Sequence, residues 1–485
     1  MTERTKCTPV LKYTINNNII FVVSYCRSAK YIYRYIKEEE ERDREMRLQS
    51  RGIFISVMIA MSMMLLIVVN ASTTSSDESI WNPVTAFLQS AVNNGTFPGC
   101  VALVGNKDGV LYSQAVGSFT YGIPTPLNKP VNPPMQLDTL FDMASCSKVT
   151  ATTTAIAQFY QRGEIDLHST IESILGDQFG VNGKSDITVL NCLLHNSGFF
   201  PDPNPFFNTP EFNCPATQFY NPPMDFSCQA QIFNNIMNQS LMNPIGSTYV
   251  YSDLNFMTLM YVVGHYAKNY GYITVEDLAP ECYNKGGPGS EQCFYEAYVR
   301  RFVFGNLGLK FTNYLQPAYL WDSCAPTEND TSYMHTTIQG VVSDGNAYAM
   351  GGVGGHAGVF SNAPEMFTFM SSLMYATEDS DYINSTTVKY FTTEYNHTQS
   401  SRAIGWNTND PTVFDEGWGQ ACGSLSSTTW MHLGYTGTML CGDPERQLIV
   451  ILLTNRVYPN PSNELILNVR KPFATLVQQI YDANF

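Results

Sequence analysis

The sequence predicts an α+β protein: one antiparallel sheet built from both chain ends and flanked by helices, with a mainly helical subdomain inserted between the two sets of strands. Three observations carry this expectation. Apolar runs of strand length occur near residue 100, similar runs recur after residue 430, and helical spacing prevails in between.

Taken in order, Val84, Phe87, Leu88 and Ala91 recur at helical spacing. Cys100 to Val104 and Val110 to Val116 read as two strands around a turn at Lys107-Asp108-Gly109. Val149 to Arg162 forms the next helix, closed by Gly163 where a left-handed residue ends a helix. From there to about Ser380, helical patterns alternate with Pro- and Asn-rich loops such as Phe199 to Pro223, whose course the pattern does not specify. Trp430 to Tyr435, Thr438 to Cys441 and Leu448 to Thr454 read as consecutive strands, with a turn at Gly442-Asp443-Pro444. A last helix carries Phe473, Leu476, Val477, Ile480 and Tyr481 on one face.

A chain of 485 residues, 44% hydrophobic, fills a sizeable core. Its net charge of -15, at only 14% charged residues, offers no phosphate-binding surface, so nucleic acid is not an expected partner. The seven histidines stand apart, and neither a His-x-His nor a Cys-x-x-Cys pair is present, so no metal and no cofactor is expected.

Ile53 to Val69 is an uncharged apolar run, shorter than the roughly 20 residues of a comfortable membrane span and longer than the usual signal-peptide core. Arg47 and Arg51 precede it and Asp77 and Glu78 follow, which puts the C-terminal bulk across the membrane. Residues 1–52 are therefore read as an N-terminal segment, 53–71 as a signal peptide or signal anchor, and 80–485 as the globular domain. That domain is expected to be secreted, or lumenal or extracellular, with membrane contact only through residues 53–69. Met46, Arg47, the apolar run and Asn70-Ala71-Ser72 make a complete signal peptide by themselves, so a start at Met46 is an alternative. The stretch to about residue 45 is then a gene-model extension.

Glycosylation acceptors stand at Asn94, Asn238, Asn329, Asn384 and Asn396. Cys214 with Cys228, and Cys282 with Cys293, are close pairs in loop-like surroundings that suit disulfides, whereas Cys100, Cys146 and Cys192 read as buried thiols.

Ser145-Cys146-Ser147-Lys148 is the one Ser-x-x-Lys in the chain. A serine at the first turn of a helix places a lysine three positions on along the same face, within reach of the hydroxyl. The helix N-terminus favours negative charge on the serine oxygen, and a lysine takes the proton if burial and neighbouring positive charge lower its pKa. Taken alone the motif also fits a serine N-cap followed by a solvated lysine.

Further motifs follow in a fixed order. Tyr251-Ser252-Asp253 and His432-Leu433-Gly434 come after the Ser-x-x-Lys. They are accompanied by Phe97-Pro98-Gly99, Leu193-Leu194-His195-Asn196-Ser197-Gly198, Gly354-Gly355-His356-Ala357-Gly358-Val359-Phe360-Ser361 and Leu452-Leu453-Thr454-Asn455-Arg456. In this combination the chain, from about Trp81 to Phe485, resembles the serine β-lactamase and penicillin-binding-protein superfamily. The likeness is to its class C β-lactamase-like branch, which includes esterases and peptidases.

The resemblance implies a β-lactamase/transpeptidase-like fold and an acyl-transfer enzyme acting on a small-molecule or peptide ester or amide. It implies Ser145 as nucleophile, Lys148 as general base and Tyr251 as proton relay. The N–H groups of Ser145 and Tyr435 form the oxyanion hole, and Asp253, His432 and Gly434 line the substrate site. Gly434 keeps the strand edge clear for an acyl carbonyl. Two departures stand out. Asp253 replaces the family's asparagine and, as a carboxylate, would hold Lys148 charged, and His432 replaces a lysine that anchors the substrate carboxylate in true β-lactamases. A catalytically inactive binding or assembly domain is therefore the second reading, and a true β-lactamase the third.

Overall fold

A computed structural model of the chain describes residues 12–14, 20–22, 78–214, 226–280, 282, 286–412 and 420–485. Two units separate, Met1–Ser76 and Asp77–Phe485. In the first, Lys12–Thr14 pairs antiparallel with Ile20–Val22. Residues 53–71, read above as signal peptide or anchor, lie outside the described residues. Among those described, no helix is long and apolar enough to cross a membrane.

The second unit opens with helix α1 (Asn82–Asn93) and the strands β1 (Gly99–Asn106) and β2 (Gly109–Gly117). Its other sheet strands come from the far end of the chain: β3 (Asn407–Thr408), β4 (Trp430–Leu433), β5 (Met439–Asp443) and β6 (Leu448–Thr454). The six form one antiparallel sheet in the order β2-β1-β6-β5-β4-β3. The first and last strands of this unit meet in the middle, where Val104 pairs with Val450 and Cys100 with Thr454.

The pleat sends alternate side chains to opposite faces, and both faces are buried. Cys100, Ala102, Val104, Val450 and Leu452 pack against Val84 and Leu88 of α1 and Phe473 and Val477 of the last helix, α6 (Arg470–Asn484). Val101, Leu103, Ile449, Ile451 and Leu453 face the helical insertion, including Met366, Phe369 and Met370 of α5 (Ala363–Met374). Burial on both faces explains why β6 reads as an unbroken apolar run rather than an alternation.

Inside the insertion, α3 (Asp253–Asn269) is buried from Leu254 to Gly264 on every side, with α4 (Glu291–Tyr298) beside it. Gly264 permits that approach: a Cβ there would stand 1.9 Å from the Glu291 carbonyl oxygen. The helix expected over 149–162 divides into a π-helical turn, Lys148–Thr153, and α2 (Thr154–Gln161), with Gly163 at φ +70° beyond it. Near the end of the chain the expected turn shifts, since Gly442 and Asp443 belong to β5 and the reversal falls at Pro444–Gln447.

Cys214–Cys228 and Cys282–Cys293 are disulfides, and a third, Cys422–Cys441, ties the loop before β4 to β5. The third was not foreseen because Cys441 sits in an apolar strand, where a cysteine passes for a core residue. Cys100, Cys146, Cys192 and Cys324 are buried free thiols. Burial pushes the Cys146 thiol up to about 12 and the other three higher still. These four thiols are accordingly expected to resist alkylation in the native protein and to react after unfolding without reductant, which peptide mapping would show.

Candidate active site

Ser145 stands at the joint between sheet and insertion. A short pairing of Phe141–Asp142 with Phe360–Ser361 leads into the 3-10 turn Ala144–Cys146. Asp142 is buried and accepts hydrogen bonds from the Ala144 N–H (2.9 Å) and the Ser343 N–H (2.8 Å). Burial nonetheless lifts its carboxyl to about 6. Ala144 is held at φ +47°, a left-handed conformation that costs an alanine roughly 1 kcal/mol. Such strain persists where the surroundings over-determine it, and here it turns Ser145 out at the start of the helix.

Lys148 is fully buried. Its Nζ donates to Ser145 Oγ (3.1 Å) and to the His356 carbonyl (3.0 Å), and forms an ion pair with Asp253 Oδ1 at 2.7 Å. Ser145 Oγ and the His356 carbonyl thus accept hydrogen bonds from the ammonium, and Asp253 supplies its counter-charge. Burial by itself would push Lys148 down, but the Asp253 carboxylate and the Tyr251 hydroxyl outweigh it and hold the lysine above its ordinary value. The ion pair with Asp253 favours the charged form of Lys148.

Tyr251 ends the extended segment before α3, half-buried, with its ring centroid 4.9 Å from Lys148 Nζ and 6.5 Å from the His432 ring. Arg402, only 6% exposed, lies 5.2 Å from the same ring centroid and donates Nε and Nη2 to the Tyr249 hydroxyl. Arg402 belongs to none of the motifs visible in the sequence. Its one signal is a lone cation in the charge-poor run Ser400 to Trp406.

Strand β4 runs past the Ser145 turn, with the Cys146 thiol 3.5 Å from the His432 carbonyl. β3 pairs with Trp430 and Met431, and beyond them His432 and Leu433 have no strand partner on that side among the described residues. His432 is buried; burial first, then Arg402 and Lys148, hold its imidazole well below the usual range, so it is neutral at pH 7. Nδ1 stands 2.9 Å from the Leu433 carbonyl, which assigns the proton to Nδ1 and leaves Nε2 as an acceptor.

Gly434 is held to glycine by its own packing. A Cβ there would meet Thr438 Oγ1 at 2.0 Å and the Met143 carbonyl at 2.6 Å, so the constraint is the close approach of the strand end to the Ser145 turn. Thr436 and Thr438 fasten that contact by donating to the Asp142 and Met143 carbonyls. Tyr435 follows, its ring stacked on Arg456, and its N–H has no hydrogen-bond partner among the described residues.

Among the described residues, two clusters each bring their ligand-type atoms within 4.8 Å of one another: Asp253, Asp344 and His356 form one, and Glu394, His397 and Asp410 the other. In the first, Asp253 is engaged by Lys148 and Asp344 by His356 Nε2 at 3.2 Å.

An antiparallel sheet closed by both termini, with Ser-x-x-Lys at a helix start beside the open edge of β4, defines the β-lactamase/transpeptidase fold. The chain belongs to the beta-lactamase family, whose model matches residues 84–470. Among curated relatives, it is 28% identical over 412 residues to an N-acetylmuramyl-L-alanine amidase of Bacillus subtilis, covering 80% of this chain and 84% of that one. It is 24% identical over 435 residues to a protein of Escherichia coli K12 provisionally named a D-alanyl-D-alanine carboxypeptidase, covering 83% and 90%.

Solved structures of the same fold include EstCE1, a hydrolase with promiscuous acyltransferase activity (TM-score 0.57, 16% identity, covering 82% of this chain and 99% of that one). A class C beta lactamase from Rhodobacter sphaeroides gives a TM-score of 0.55 at 17% identity, covering 82% and 99%. At these identities the structural likeness speaks for the fold alone.

Proposed function

We propose that the protein is a serine hydrolase that cleaves an ester or amide through an acyl-enzyme on Ser145. The observation that carries this reading is the 3.1 Å contact between Ser145 Oγ and the buried Lys148 Nζ, at a turn held in a strained conformation. Lys148 is the base of the pair, Tyr251 relays the proton to the leaving group, and the N–H groups of Ser145 and Tyr435 receive the oxyanion. His432, neutral, with a buried Nε2 that has no hydrogen-bond partner among the described residues, offers that nitrogen as the acceptor for a substrate donor seated along the β4 edge. A neutral imidazole gives a substrate carboxylate no counter-charge, which weighs against penicillins as the natural substrate.

The Lys148–Asp253 ion pair favours a second reading, a cleft retained for binding after its chemistry has lapsed. The two readings part on turnover. The proposal expects hydrolysis of p-nitrophenyl esters or of D-amino-acid amides by the purified globular region. Binding of such compounds in the cleft with no product released would support the second reading instead.

Asp253 restrains the base in this account. Asp253→Asn removes the carboxylate that keeps Lys148 charged and is expected to raise the acylation rate at pH 7 and to move the acidic limb of the pH–rate profile to lower pH. A profile superimposable on the wild type would show that Asp253 does not govern the base.

The globular region works on the lumenal or extracellular side, and residues 53–69 either anchor it or are removed. Three disulfides fit an oxidising compartment. Asn94, Asn238, Asn329 and Asn396 are exposed. Native material is therefore expected to lose mass on enzymatic deglycosylation, with unmodified asparagine at these positions as the contrary result.

A further inference from the structure

His195 is absorbed by none of the roles above, yet both neighbours of Tyr251 hang from it. Its carbonyl accepts the Val250 N–H (2.9 Å), and its ring Nδ1 accepts the Ser252 N–H (3.1 Å), with Asn255 Nδ2 at 3.3 Å. The imidazole lies against the Tyr251 ring, centroids 4.5 Å apart and planes inclined by 30°, with Phe256 at 5.2 Å. Accepting the Ser252 N–H requires an unprotonated Nδ1. Burial first, then Arg402, Lys148 and His432, hold the ring well below its usual value, so it stays neutral.

The arrangement is costly for mere packing. His195 adopts φ +54° directly after the helix Val189–Leu193, where glycine or asparagine is the ordinary choice. Its Nε2 is buried with no hydrogen-bond partner among the described residues. A glycine would relieve the backbone but would supply neither the acceptor nor the ring.

We propose that His195 is the positioning residue of the proton relay: clasping Val250 and Ser252 and backing the Tyr251 ring, it fixes the Tyr251 hydroxyl against Lys148. This inference rests on the acyl-enzyme reading given above. The test compares acylation of Ser145 by a fluorophosphonate-type probe, and kcat and KM on a p-nitrophenyl ester, in wild type and variants checked by thermal melting.

His195→Ala is expected to lower kcat about 10- to 100-fold with KM nearly unchanged, as a misplaced catalytic group does. His195→Asn is expected to retain most of the rate, because an asparagine amide oxygen falls where Nδ1 lies and asparagine tolerates the positive φ. His195→Gln places its amide near the Nε2 position, loses the acceptor and is expected to behave as His195→Ala. It also serves if the alanine variant does not fold.

The decisive arm uses a Tyr251→Phe background, in which His195→Ala should cost nothing further in rate, since its effect passes through the hydroxyl already removed. Equal losses in both backgrounds, or a full rate in His195→Ala and His195→Gln, would overturn the proposal while leaving the acyl-enzyme reading intact. A wild-type protein that takes no acyl group would overturn that reading and this inference with it.

Discussion

Lys148→Met slows acylation of Ser145 by about 10²- to 10⁴-fold at neutral pH, the range expected when a positioned acid–base group is lost. One substitution removes the donor to Ser145 Oγ, the tie to the His356 carbonyl and the counter-charge of Asp253. Stability falls as well, because Asp253 is left unpaired with its side chain only 18% exposed. The two effects separate in the double variant Lys148→Met/Asp253→Asn, which should recover melting temperature but not rate. The sign of the lysine shift adds a check. Its folded-state value is raised, so the pair's contribution is intact below the ordinary lysine value and is lost only as pH climbs through the raised one. Melting temperature should therefore show no step from this pair between about pH 6 and pH 9.

Ser145→Ala abolishes turnover altogether, since the hydroxyl oxygen is the atom that forms the acyl bond and water cannot stand in for it. Melting temperature should hardly move. Lys148 keeps the His356 carbonyl and the Asp253 carboxylate, and the turn keeps the Asp142 bond to the Ala144 N–H. A steady-state ester assay of matched, folded samples reads this directly. Residual turnover near the wild-type rate would exclude Ser145 as nucleophile.

Much of the fold was legible because β1, β2 and β4 to β6 are apolar runs bounded by turn residues, and α1 and α6 carry one-sided stripes. The candidate site was legible as three short motifs whose order, rather than any one spacing, carried the information. What stayed hidden depends on contacts between distant segments. The left-handed Ala144 is imposed by the Asp142 clamp and the pairing with Phe360–Ser361, and alanine itself gives no such signal. Gly434 answers to the Met143 carbonyl, some 290 residues earlier in the chain. Arg402 reaches Tyr251 only through the folding of the insertion, and the long loops around it follow no periodicity. The π-helical turn after Ser145 is likewise tied to a distant segment, since Thr152 donates to the Gly355 carbonyl.

Everything proposed for the cleft depends on Ser145 being the acyl-accepting nucleophile. The most direct test is peptide mapping by mass spectrometry after exposure of the native protein to a fluorophosphonate-type probe, with Ser145→Ala beside it. One adduct per chain is expected, located on the peptide that holds Ser145 and absent from the variant. An unlabelled wild type, or a label that persists in Ser145→Ala, would contradict it.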